Sequence, residues 1–177
     1  MSTIQPNHPT FRVYPTEQAV AIIRAIAEHR WPMTINEAFT LRDQFNWKPA
    51  PDDGRFFITE ISGGEEDGSI GVDPDDRSIA SEINFNLTTR LYSDAEPQID
   101  HIIRSQYGSY VDALNSLYGQ GVTESSAVSV SNTWNLRSRV SIELGSTHRF
   151  IDVAIESPAM LDLTEAEQRY FDEGGEL

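Results

Sequence analysis

Cysteine is absent from the 177-residue chain, and Lys48 is its only lysine. Without cysteine there can be no disulfide, no thiolate nucleophile and no Cys-based zinc site, which suits a reducing compartment. No stretch approaches the roughly 18 apolar residues that a membrane span requires. Met1 to Pro15 shows no basic region followed by an apolar run, so no secretory leader is expected and the cytoplasm is the expected location. Positive charge is scarce as well: 13 basic residues face 28 acidic ones, for a formal charge of -15. A surface of that sign repels phosphate backbones and anionic lipids, so neither nucleic acid nor a membrane is an expected partner.

What the chain does contain is enough to fold. Hydrophobic residues make up 38% and include three Trp, eight Phe and six Tyr, enough apolar bulk to offset the entropy of ordering. The length fits one domain spanning 1–177, with flexible ends expected at 1–14 and 173–177. Ala19, Ile22, Ile23, Ile26 and Ala27 recur at helical spacing and predict a helix over Thr16 to His29. Thr34 with Glu37 is a capping-box signature for a second helix carrying Ile35, Ala38, Phe39 and Phe45. The period then falls to two, predicting strands over Arg55 to Ile61, Ser69 to Val72 and, most clearly, Ile79 to Leu91. In the last of these one face is apolar and the other polar, as in an antiparallel sheet packed on one side and wet on the other.

Ile99, Ile103, Tyr107, Tyr110, Leu114 and Tyr118 form the stripe of a long helix, interrupted by Gly108, where a kink or a close packing contact is expected. Three strands follow, over Val128 to Leu136, Val140 to Leu144 and Ile151 to Ile155, joined as a meander of hairpins. Pro158 ends it, and Thr164 to Phe171 predicts a short terminal helix. The expected fold is α+β in the order ααβββαβββα, mainly antiparallel, with the helices on one face. Helix followed by three strands occurs twice, which suggests a duplicated unit without repeating residue identities.

No catalytic constellation emerges. His8, His29, His101 and His148 are far apart and lack metal-ligand spacing. Gly68-Ser69-Ile70-Gly71 lacks the residue that a nucleophile elbow places between its glycine and serine. The glycine pairs do not match a dinucleotide fingerprint, and no basic residue lies between Arg55 and Arg77 to meet phosphate. Asp73-Pro74-Asp75-Asp76 lacks the alternating ligands of a calcium loop. Neither enzymatic activity nor any cofactor or metal is expected.

Glu60 to Asp76 stands out, because Glu60, Glu65, Glu66, Asp67, Asp73, Asp75 and Asp76 share that window with no positive charge. Gly63 and Gly64 make the segment conformationally permissive. It reads either as a solvated loop that discourages edge aggregation or as an exposed docking surface that steers a basic partner. Trp134 falls on the apolar face of its strand, whereas Trp31 and Trp47, beside prolines at helix ends, are candidate surface contacts for a partner.

Arg30-Trp31-Pro32, Phe45-Asn46-Trp47, Leu117-Tyr118-Gly119, Thr133-Trp134-Asn135-Leu136 and Ile155-Glu156-Ser157-Pro158 are laid out along the chain as short motifs. In this layout the chain resembles small actinobacterial immunity proteins, in particular the immunity factor of the tuberculosis necrotizing toxin, an NAD-hydrolysing enzyme. The near-exclusive use of Arg over Lys suits the GC-rich genomes of such organisms. The resemblance implies a noncatalytic antitoxin, monomeric by preference, that binds a cognate protein toxin and occludes its substrate cleft. The rival expectation is a secretion chaperone that binds an effector segment as a homodimer. The neighbouring reading frame and the size in solution separate the two.

Overall fold

The computed structural model describes residues 11–175. Helix α1 (Thr16–Ala27) buries Ala19, Ile22, Ile23, Ile26 and Ala27, the predicted stripe. Helix α2 (Ile35–Gln44) begins at the predicted capping box: the Thr34 hydroxyl accepts from the Glu37 N–H, and the Glu37 carboxylate accepts from the Thr34 N–H. Strands β1 (Lys48–Pro49), β2 (Phe56–Ile58), β3 (Gly68–Val72) and β4 (Ala80–Asn86) follow, and then the long helix α3 (Pro97–Tyr118). The second half comprises β5 (Val122–Ser125), β6 (Ser129–Asn135), β7 (Ser141–Thr147), β8 (Ile151–Glu156) and helix α4 (Pro158–Asp172).

All eight strands form one antiparallel sheet in the order β1-β2-β3-β4-β8-β7-β6-β5. Each half is a helix-led meander of four strands, and the two meanders join where the last strand of one pairs with the last strand of the other. The observed order is therefore ααββββαββββα rather than ααβββαβββα. The two strands missed from sequence are the sheet's edges. β1 is two residues long and includes a proline, and all four residues of β5 are exposed, so neither carries the apolar alternation that marks a strand.

Alternation sorts the sheet into two faces. Ile83 lies opposite Ile155, which lies opposite Ile142, and Phe85 opposite Val153 opposite Leu144. These six side chains are buried in one cluster with the apolar residues of α1, α2 and α3. Tyr107 and Tyr110 fix α3 to this layer: the Tyr107 hydroxyl donates to Asn132 Oδ1, and the Tyr110 hydroxyl donates to the Tyr14 carbonyl. Trp134 belongs to the same face, as expected, and its indole N–H donates to Asn115 Oδ1 and the Gly119 carbonyl at the end of α3.

Three expectations need correction. Residues 11–14 are not a loose terminus, because Tyr14 N–H donates to the Leu87 carbonyl, Thr89 N–H donates to the Arg12 carbonyl, and Tyr14 is 1% exposed. The remaining parts of the expected flexible ends, 1–10 and 176–177, lie outside the described residues, whereas 173–175 close the last helix with backbone hydrogen bonds. Helix α4 starts six residues before Thr164, since Pro158 occupies the first helical turn, where its missing N–H costs nothing, and Ser157 caps it. Gly108 marks no close contact: α3 continues through it as one helix, and a Cβ there would meet nothing within 4 Å.

Gly108→Ala should therefore stabilise the protein by about 0.5 to 1 kcal/mol, since alanine restricts the unfolded chain and fits the helix. Leu114→Ala on the buried stripe of the same helix should cost about 2 to 5 kcal/mol. Urea denaturation of both variants checks the pair.

Candidate functional site

The acidic window resolves into groups with different roles. Asp67 is the clearest departure from the expected row of exposed acids: its Oδ1 accepts the Thr59 N–H and its Oδ2 the Thr59 hydroxyl. Burial raises its carboxyl above the usual range despite these bonds. Asp73 accepts the N–H groups of Asp75 and Asp76, and Asp76 accepts the Ser78 N–H and hydroxyl, so both acids shape a turn. Glu65 accepts the Tyr92 hydroxyl at 2.6 Å, and Glu60 accepts Gln18 Nε2. Gly63 and Gly64 have φ of +73° and +95°, values that favour glycine and explain the pair. The shallow cleft beside them is lined by Arg12 and Lys48 as well as Glu60. Two cations border the loop's base, so the loop is less uniformly negative than its sequence.

Of the two tryptophans expected at the surface, Trp47 is buried and Trp31 is partly exposed. Trp47 is 3% exposed, stacks on Phe57 with ring centroids 4.6 Å apart and donates its indole N–H to the Tyr14 hydroxyl. Burial pushes that tyrosine up to about 12. Trp31 is partly buried against the core, and its indole N–H donates to the Ile26 carbonyl at the end of α1. The Trp31 ring closes the end of α1, where free carbonyls need a donor.

The sequence windows did not reveal the second face of the sheet, opposite α1, α2 and α3. The strand registers build it in lateral rows. One row runs Phe56, Ser69, Asn84, Ala154, Glu143, Thr133, Val122. On one side of it, Glu82 lies opposite Glu156, and on the other Asn86, Asp152, Gly145, Ser131 and Glu124 line up. The floor is small, the two ends of the first row are apolar, with Phe56 45% and Val122 67% exposed, and five carboxylates stand on it. Directly opposed like charges destabilise an antiparallel pair, and Glu82 with Glu156 is such a pair. Asn84 donates to Glu82 and accepts from Ser69, which holds Glu82 in place.

Asp152 has the least water of the five. Gly145 opposite leaves room for it, since a Cβ there would lie 3.0 Å from Asp152 Oδ1. Burial, with Glu143 adding repulsion, pushes its carboxyl up to about 6, while Arg90, stacked 4.3 Å over the Phe150 ring, pulls the other way. Burial and the charges of Glu82 and Glu143 likewise raise Glu156. Among the described residues no group of histidines and carboxylates could hold a metal ion, and His8 lies outside them. No helix of the described residues is long and apolar enough to cross a membrane.

A family model of unknown function, DUF6301, matches residues 17–157, from the start of α1 to the end of β8. No curated protein and no solved structure matches the chain.

Two measurements test this division of roles. Asp67→Ala should cost about 1 to 3 kcal/mol by stranding the Thr59 donors, whereas Glu66→Ser and Asp75→Ser should stay within about 0.5 kcal/mol. Asp152→Asn should stabilise the fold on the order of 1 kcal/mol near pH 8. The sign follows from the raised folded value: ionised Asp152 opposes folding, so wild-type stability rises as pH falls through about 6 toward the unfolded value of 3.8. The advantage of the variant should vanish by the acidic end of that window in pH-dependent urea melts.

Proposed function

The chain belongs to DUF6301, a family of unknown function, and from that starting point we propose that it is an immunity-type inhibitor whose open sheet face docks a basic protein toxin. The observation that carries the reading is the placement of Glu82, Glu124, Glu143, Asp152 and Glu156 together on a face that α1, α2 and α3 leave uncovered. Retaining opposed carboxylates costs stability, and a cationic partner relieves that repulsion on binding. The exposed Phe56 and Val122 add apolar contact at the ends of the same row, giving the mixed character of a protein interface. The partner's class comes from the resemblance to actinobacterial immunity proteins, which suggests an NAD-hydrolysing toxin whose substrate cleft is occluded in the producing cell. The chain itself turns over no NAD in this reading.

A secretion chaperone working as a homodimer is the second reading, and the observation that favours it is the fully exposed edge strand β5, whose free backbone could pair with a second copy. The formal charge of -15 on each chain opposes that pairing.

The test is inhibition of an NAD-hydrolysing domain encoded beside this chain. Stoichiometric addition should abolish NAD hydrolysis, and the chain alone should leave NAD intact. Glu82→Gln, Glu143→Gln and Glu156→Gln combined should reduce the association rate at low salt and flatten its salt dependence, without loss of folding. Undiminished hydrolysis at saturating inhibitor, or unchanged binding by the triple variant at every salt concentration, would overturn the proposal. Sedimentation of the free chain as a dimer would favour the chaperone.

A further inference from the structure

The docking reading leaves one property of the open face unexplained: its carboxylates are close enough to compete for ionisation. Glu143 on β7 stands opposite Ala154, which puts it diagonal to both Asp152 and Glu156 on β8, while Glu82 on β4 faces Glu156 directly. Glu124 on β5 ends the row that contains Asp152. Among the described residues the cation that acts on Asp152 is Arg90, held over Phe150 at the end of the face. Asn86 and Ser131 complete its row, and neither carries charge. Five acids against one guanidinium, on a floor of Ala154 and Gly145, form a group whose charge depends on its own repulsion.

Resting on the docking reading above, we propose that the open face is a proton-sensitive docking surface, in which uptake of one proton at Asp152, beside the carboxylates of Glu143 and Glu156, weakens its hold on a cationic partner. Docking in turn expels that proton, because binding energy and protonation are linked through the same carboxylates. The direction of the shifts at Asp152 and Glu156 places the transition below neutrality, above the range of an ordinary surface acid. The device makes release of the partner follow acidification and lets the neutral cytoplasm favour the complex.

The experiment uses the whole chain with octalysine as the cationic probe. Carbon-detected NMR of side-chain carboxyls follows Asp152, Glu143 and Glu156 against pH in the free protein, and amide shifts locate the probe. The expected result is octalysine on β4, β7 and β8 near neutrality, with affinity falling about tenfold from about pH 7.5 to about pH 5 as a proton is taken up with a midpoint near 6. Calorimetry in buffers of different ionisation enthalpy should show a proton released on binding. Asp152→Asn should bind at neutral pH about as weakly as the wild type does near pH 5 and lose most of this pH dependence, and Glu143→Gln should lower the Asp152 midpoint without altering the fold. Docking at the face with pH-independent affinity, or an Asp152 carboxyl that titrates in the ordinary range, overturns the proton link alone. Absence of the probe from the face at neutral pH overturns the docking reading as well, and is recognisable because the carboxyl titration of the free protein is unaffected.

Discussion

The pairing of β4 with β8 is the constraint from which the rest of the molecule follows. These strands lie at the ends of the two meanders, and their register sets Ile83 against Ile155 and Phe85 against Val153. With that seam in place, one continuous apolar layer extends from Ile70 to Trp134, and α1, α2 and α3 have a single surface to cover. A slip by one residue would turn every side chain to the other face and expose the core. The same register gathers Glu82, Asp152 and Glu156 on the opposite side, so the stability of the core and the charge of the open face are two results of one alignment.

The polar contacts that reach into the core reinforce this layer. Tyr14 accepts the Trp47 indole N–H through its hydroxyl, and its backbone carbonyl accepts the Tyr110 hydroxyl, which links the segment before α1, the end of α2 and the middle of α3. Phe57 and Phe85 pack around the same Trp47 ring. Buried polar groups are tolerated where each finds a partner, and here their partners lie on separate elements, so the bonds also fix the relative placement of helices and sheet. The open face therefore has a rigid support, which limits the reorganisation that docking would require.

The open face concentrates repulsion that the fold does not need. Glu65, Asp67, Asp73 and Asp76 in the acidic window are tied to local hydroxyl or N–H groups, and their charges help to build loops. Glu143 and Asp152 build no loop, and burial together with the charge of Glu143 raises the Asp152 carboxyl. A solubilising role would be met by acids placed anywhere on the exterior. Opposed acids on adjacent strands, next to exposed Phe56 and Val122, are better suited to meeting a complementary surface.

Periodicity determined the α+β class, the two amphipathic helices, the capping box at Thr34 and Glu37, and the apolar faces of β4, β6, β7 and β8, because each depends on neighbours within a few residues. Tertiary structure decided what depends on partners distant in sequence. Trp47 looked exposed because prolines flank it, and became core because Phe57 and Phe85 surround it. Edge strands β1 and β5 carry no apolar alternation and exist only as hydrogen-bonded additions to β2 and β6. The acidic window was visible as a run, but the open face was not, since Glu82, Glu124, Glu143, Asp152 and Glu156 come from four strands whose adjacency is set by register. Local charge density is written along the chain, whereas the field of a sheet face is created when the strands pair.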